Sequence, residues 1–256
     1  MTESVWGTAD ERMRALLGRL PADVPAVVDQ LTKLQDALER VPPLLAGNPL
    51  ADFNKLYLNI TLDVLARLSE KRFEDPAFIS RLDVEFSGRY FDALRGFTDG
   101  GAGCPRTWQV LFARVAGPDA RPLPSAAAGA NAHINFDLAF ALVSTFDQAG
   151  PGPADDSAQH RDYLQINKIF ADAIPQLRRG YLDKWQLLVD TMNGELDDWW
   201  QGEAIAYTRN VAWRNAQKLW TLRSDVQATA RFRDTLDETT AALGRLLLSP
   251  MGELLQ

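Results

Sequence analysis

Ser125-Ala126-Ala127-Ala128-Gly129-Ala130-Asn131-Ala132-His133-Ile134-Asn135-Phe136-Asp137-Leu138 is the stretch whose reading decides the fold. Its first half is almost entirely small residues, which let a neighbouring backbone come close. The run therefore reads as a central helix over about residues 125–149, with Ser125 as a candidate cap and the Gly150–Pro153 turn as its end. This apolar helix nonetheless carries Asn131, His133, Asn135 and Asp137. Polar groups in such surroundings must be partnered, metal-bound or placed in a pocket. His133 precedes Asp137 by four residues, which sets imidazole and carboxylate on one helix face.

The flanking sequence is helical as well. Val27, Leu31, Leu34, Leu38 and Val41 step by three and four, and Pro42-Pro43 stops them. Phe53, Tyr57, Ile60 and Val64 repeat the pattern, with Asp52 as a candidate N-cap. Asp75-Pro76 couples an N-cap to proline at the first helical position, and Phe78, Leu82, Phe86 and Tyr90 mark the buried stripe behind it. A short helix with Trp108, Leu111, Phe112 and Val115 ends at Gly117, and Pro118, Pro122 and Pro124 make an irregular connector. Asp155 or Asp156 is expected to cap a helix that bends or ends near Pro175. Tyr181, Trp185, Leu188 and Met192 continue to Asn193-Gly194, and the last two helices fill about 201–222 and 225–248. No strand pattern and no internal repeat is present. The expected fold is all-α, a single multi-helix bundle around the central helix. Residues 1–50 would form an N-terminal helical hairpin packed on a core domain of residues 51–256.

Composition bounds the function. A chain of 256 residues with 46% hydrophobic and 24% charged residues is an ordinary globular mix with ample material for a core. A net charge of −7 argues against a nucleic-acid partner. No apolar run is long enough to span a bilayer, and the N-terminus lacks a secretion signal. Cys104 is the sole cysteine, so no intramolecular disulfide forms, and a cytoplasmic protein is the expectation. Seven Trp and twelve Phe imply a thick core or an aromatic-lined cavity.

Three blocks carry a resemblance. They are Phe53-Asn54-Lys55-Leu56-Tyr57-Leu58 with Phe73 to Phe78 and Leu82-Asp83; Ala128 to Leu138; and His160-Arg161-Asp162-Tyr163 with Ile166-Asn167. The chain resembles an uncharacterised, mainly actinobacterial domain family of unknown function with an Asn-Ala-His-Ile-Asn-x-Asp-Leu motif. The likeness spans roughly Asp52 to Leu222. Phe136 stands where the family carries His or Arg, and Ala139 where it carries Pro, which suggests a divergent member with its own substrate. The resemblance implies a helical fold and a site around His133, and no reaction.

His133 and Asp137 are the candidate catalytic pair. The carboxylate would orient the ring and raise its pKa while the other ring nitrogen faces substrate. Two other readings stay open: the pair holds a divalent metal ion, or it is a buried hydrogen bond that fixes helix packing. Candidate substrate contacts are Asn131, Asn135, Phe136, Asp162, Tyr163, Asn167, Arg209 and Trp213. Asn131 and Asn135 lie on a different face and suit backbone carbonyls as well as a ligand. Phe136 suits a core or a pocket wall. Asp162, Tyr163 or Asn167 would approach His133 if their helix packs antiparallel to the central one. Arg209, one turn before Trp213, would stack on an indole and pair with Asp137 or another carboxylate, or else lie exposed. His160, in a first helical turn, reads as surface or cap.

Several chemistries fail. Two histidines cannot build a multi-zinc cage, and Asp155-Asp156 and Asp197-Asp198 are too sparse for diphosphate ionisation. Cys104 lacks a nearby His. No dinucleotide or nucleophile-elbow motif appears. The favoured reading is a biosynthetic enzyme without a cofactor, a cyclase or isomerase with lyase chemistry also open, acting by acid/base chemistry and shape on a small, largely apolar molecule. A metal-assisted hydrolase using His133 and Asp137, and a non-catalytic ligand-binding or interaction module, are the alternatives. A homodimer is compatible with all three.

Overall fold

The computed structural model describes residues 14–39, 49–114, 122–182 and 202–249, and every regular element among them is helical. The protein is all-α. The apolar stripes set its packing. In α1 (Val24–Glu39) the stripe Val24, Val27, Leu31, Leu34 and Leu38 is buried and faces α2 (Pro49–Ser69). Side chains of this size contribute about 1.5–3 kcal/mol each on burial. The junction is polar at one point. Asn54 of α2 is wholly buried and donates through Nδ2 to Leu31 O at 3.0 Å and Gln35 Oε1 at 2.8 Å.

Asp75 caps α3 (Pro76–Thr98) as its sequence suggests, its Oδ1 accepting from Phe78 N–H at 2.9 Å. Phe78, Leu82, Phe86 and Tyr90 are all buried. The short α4 (Arg106–Phe112) buries Trp108, Leu111 and Phe112. Its N-terminus is satisfied from far along the chain by Asp237, which accepts from Arg106 N–H and Thr107 N–H at 3.0 and 2.9 Å.

The central helix has three parts: α5 (Pro122–Ala132), a π-helical turn (His133–Asp137) and α6 (Leu138–Ala149). The first part lies against α2 and α9 (Val226–Leu247), the last against α3 and α8 (Gly202–Leu222). Gly129 shows why small residues are needed here. A Cβ on it would come within 2.4 Å of the Phe53 ring. Between α6 and α8 in sequence lies α7 (Ala158–Leu182), which packs on α2 and α8.

Four boundary expectations shift. Because the central helix begins at Pro122, Ser125 lies inside its first turn rather than before it. Asp52 likewise falls in the first turn of α2, which begins at Pro49. The cap of α7 is Ser157, whose Oγ accepts from His160 N–H at 3.0 Å, while Asp155 is engaged by Trp213 and Gln217. α7 also continues through Pro175 to Leu182. The N-terminal segment contributes Leu17 and α1 to the same core cluster as α2 and α3. Val41 to Pro43, Val115 to Pro118, Trp185 to Gly194 and Asp197 to Trp200 lie outside the described residues. Among the described residues no helix is long and apolar enough to cross a membrane.

Candidate functional site

The π-helical turn coincides with the polar residues of the central helix. Leu138 N–H bonds His133 O, a five-residue step in place of the α-helical four. Such single π turns are frequent at functional sites. The wider turn brings position i+4 more nearly over position i, and His133 Nδ1 lies 3.0 Å from Asp137 Oδ2. The same oxygen accepts from Trp108 Nε1 at 2.8 Å. A carboxylate oxygen only accepts, so Nδ1 carries the ring proton and Nε2 keeps a lone pair.

Both side chains are almost fully buried, at 2% exposure for His133 and 3% for Asp137. Burial lowers the His133 pKa, and this outweighs the upward pull of Asp137, with Arg89 adding a further downward push. The expected rise in the histidine pKa is therefore corrected. Asp137 does favour the imidazolium, but loss of water around the ring favours the neutral form more. The result is a neutral imidazole with a defined tautomer.

Aromatic rings lock the imidazole in place. Phe86 lies parallel to it with centroids 3.4 Å apart and 7° between planes. Tyr57 meets it edge-on at 4.7 Å, and Phe53 does so at 5.9 Å. Among the described residues Nε2 is buried without a hydrogen-bond partner.

His133 borders a cavity of about 60 Å³. Its wall includes Phe53, Tyr57, Phe86, Asp83 and Arg209, completed by aliphatic side chains of α2, α3, the central helix and α7. Two more lining residues hold buried polar atoms without protein partners, Tyr57 Oη and Asp83 Oδ2. Near Tyr57, the Thr61 and Ser87 hydroxyls donate to Tyr57 O and Val84 O. Burial pushes the Asp83 carboxyl up to about 7. It also holds Tyr57 as a neutral phenol, with the Asp83 charge adding to the rise. An imidazole kept neutral and a carboxyl pushed up by burial thus share one cavity.

Arg209 is the fourth polar element of the wall, with 3% exposure. Its Nε donates to Asn167 Oδ1 at 2.7 Å, and Nη2 donates to Tyr163 O at 3.0 Å. The guanidinium lies 4.3 Å over the Tyr163 ring and 5.6 Å from that of Phe170. Arg209 is therefore not an exposed arginine, and among the described residues neutral acceptors and a phenol stand where a carboxylate partner and an indole stack were the other expectation. Tyr163 and Asn167, one turn apart on α7, both bond Arg209 of α8, and neither lines the cavity.

The remaining candidates have other placements. Asp162 is wholly buried, and its carboxylate accepts from Glu74 N–H at 2.9 Å and Asp75 N–H at 2.6 Å, which fixes the entry to α3. Asn131 donates to Thr240 O at 3.0 Å and accepts from Asn135 Nδ2 at 2.9 Å, so this pair ties the central helix to α9. Beside it is only a minor hollow of about 10 Å³. Phe136 packs on Phe140 at 5.2 Å with Arg233 above it at 5.9 Å. Trp213 lies between His160 and Tyr163 and donates to Asp155 Oδ1 at 2.9 Å. None of Asp162, Asn131, Phe136 or Trp213 lines the larger cavity.

Asp83 and Tyr57 are the polar wall residues that the sequence reading places only within helical stripes or resemblance blocks. The available signal is the position of Asp83, an acid directly beside the buried stripe Ile79, Leu82 and Phe86. For metal binding, no group of three or more His, Cys, Asp or Glu converges among the described residues. His133 Nδ1 and Asp137 Oδ2 face each other at hydrogen-bond distance, so a metal on that face would have to displace their bond. The Cys104 thiol is pushed up to about 12, chiefly by burial, and is no nucleophile.

The fold and cavity define a helical protein with a buried His–Asp pair inside an aromatic enclosure. The chain belongs to DUF5995, a family of unknown function whose model matches residues 24–250. Neither the curated proteins nor the solved structures contain a match to it.

Proposed function

We propose that this protein is a cofactor-independent acid–base enzyme, an isomerase or cyclase, acting on a small and largely apolar molecule. The observation that carries the reading is His133 Nε2, an unprotonated nitrogen without a protein partner on a cavity-lining residue whose other nitrogen is tied to Asp137. In this mechanism Nε2 takes a proton from a substrate carbon, and Asp137 stabilises the imidazolium that forms. The electron pair moves into the adjoining unsaturated system. A proton then returns at a different carbon, from the Asp83 carboxyl or from the imidazolium itself. The net result is a shifted double bond; for ring closure the released electron pair instead forms a carbon–carbon bond to an electrophilic alkene carbon of the same substrate, and the π pair displaced there takes the returning proton. Where Asp83 gives that proton, the imidazolium returns one to the Asp83 carboxylate, so the site is reset with no change of redox state. Aromatic walls add shape, which favours one folded conformer of the substrate.

The test is deuterium incorporation from heavy water into small apolar ketones, enones and unsaturated acids, followed by mass spectrometry. The native protein is expected to exchange at least one of them, and His133→Gln to lose roughly 10²–10⁴-fold in rate while keeping its helical circular dichroism. Equal exchange by both proteins would end the catalytic assignment. A metal-assisted hydrolase predicts stoichiometric metal by elemental analysis and loss of activity with chelator. A binding module predicts ligand uptake without exchange. A cytoplasmic setting for the enzyme agrees with the single buried Cys104.

A further inference from the structure

We infer that the ligand of this cavity is a small apolar monocarboxylate, whose carboxylate is received by Arg209 and whose hydrocarbon body fills the aromatic wall. The inference names the substrate class of the enzyme proposed above and rests on the same cavity. Its basis is a charge imbalance. Arg209 is a buried cation, and among the described residues no carboxylate lies within ion-pair distance of it. A buried charge left unpaired is costly, and natural proteins compensate it with a partner of opposite sign. Among the described residues its acceptors are neutral, Asn167 Oδ1 and Tyr163 O.

Asp83 does not serve as the counter-charge. Among the described residues no ion pair or hydrogen bond joins it to Arg209, whose bonds go to Asn167 and Tyr163, and burial pushes the Asp83 carboxyl up to about 7, toward its neutral form. Among the described residues two of the five guanidinium N–H groups are used, which leaves three for a ligand. That number suits one carboxylate, which takes parallel hydrogen bonds from an arginine fork. A phosphate dianion would leave excess charge beside a single cation. The rings under the guanidinium, Tyr163 and Phe170, hold it flat and keep water away, so the preference for an anion is strengthened by low polarity. The rest of the wall is apolar, apart from Tyr57, Asp83 and His133. It therefore accepts a hydrocarbon chain or ring better than a sugar or a peptide.

The test is binding, measured without reference to turnover. Butyrate, hexanoate, octanoate and phenylacetate are titrated against butyramide, hexanamide, octanamide and phenylacetamide by calorimetry, on the native protein and on His133→Gln. At least one acid is expected to bind roughly tenfold or more tightly than its amide on both proteins. Arg209→Lys is expected to weaken that acid, and Arg209→Gln to abolish its advantage over the amide. Failure of every acid to bind, or equal binding of acids and amides by the native protein, overturns the inference. This holds even if the Arg209 variants do not fold. Preferential acid binding on His133→Gln supports it even if no carbon exchange is ever found, so the two proposals fail separately.

Discussion

The phenyl ring of Phe86 lies flat on the imidazole of His133, with centroids 3.4 Å apart and planes within 7°. Together with the Asp137 hydrogen bond, this leaves the imidazole one orientation. Asp137 fixes its edge and Phe86 fixes its plane. Phe86→Leu keeps an apolar group and removes the parallel face. It is expected to cost about 1–3 kcal/mol by urea unfolding and to broaden the His133 ring resonances in NMR spectra. Unchanged sharp resonances would show that Asp137 alone holds the ring.

Trp108 and His133 share one oxygen of Asp137. Trp108→Phe deletes one donor to a buried carboxylate, and a loss of about 1.5–3 kcal/mol is expected. Asp137→Asn offers an amide that both donates and accepts, so the tautomer of His133 is no longer dictated. Nitrogen chemical shifts of the ring are expected to show Nδ1–H in the native protein and a mixture in this variant.

Stability has two opposed pH dependences. The Asp83 carboxyl is pushed up from 3.8 to about 7, so the folded state holds its proton more tightly than the unfolded state does. That contribution is intact below about pH 4 and is lost as pH rises toward 7. His133 is shifted down by burial, so its contribution is intact above about pH 6.5 and is lost as pH falls below that. Urea unfolding of native protein, Asp83→Asn and His133→Gln across this range separates them. Asp83→Asn is expected to gain on the native protein above pH 7, by no more than about 4 kcal/mol, and His133→Gln to flatten the acid limb. A pH-independent difference between native protein and Asp83→Asn would show that the carboxyl is not strained by burial.

Gly129 holds the space that Phe53 occupies, and its missing Cβ would lie 2.4 Å from that ring. Gly129→Ala would otherwise favour a helix, by about 1 kcal/mol. Here it is expected to destabilise by about 1–3 kcal/mol, because Phe53 must leave its rotamer or α2 must move. Thermal unfolding reads the sign directly, and a stabilised variant would contradict the packing.

Much of the fold is legible in the chain because helices are local. The stripe Phe78, Leu82, Phe86 and Tyr90 and the Asp75 cap depend on residues within a few positions of one another, and both are found as read. His133 and Asp137 belong to the same class, since one helical turn places them together in any helical fold. Helix boundaries are harder to place. Ser125 and Asp155 are good caps by type, but Pro122 starts its helix earlier and Trp213 takes the Asp155 carboxylate.

The sequence by itself determined an all-helical chain and one local His–Asp pair, because both follow from periodicity and a four-residue spacing. Only tertiary structure decided what surrounds that pair. Asp83 and Tyr57 read as stripe neighbours, and they become cavity wall only when α2 and α3 close over the central helix. Arg209 finds Asn167 and Tyr163 because α7 packs on α8, and it loses its expected carboxylate for the same reason. Even the direction of the His133 pKa shift was set by folding. Asp137 acts on the ring from one turn away, but removing water from the imidazole takes the whole bundle.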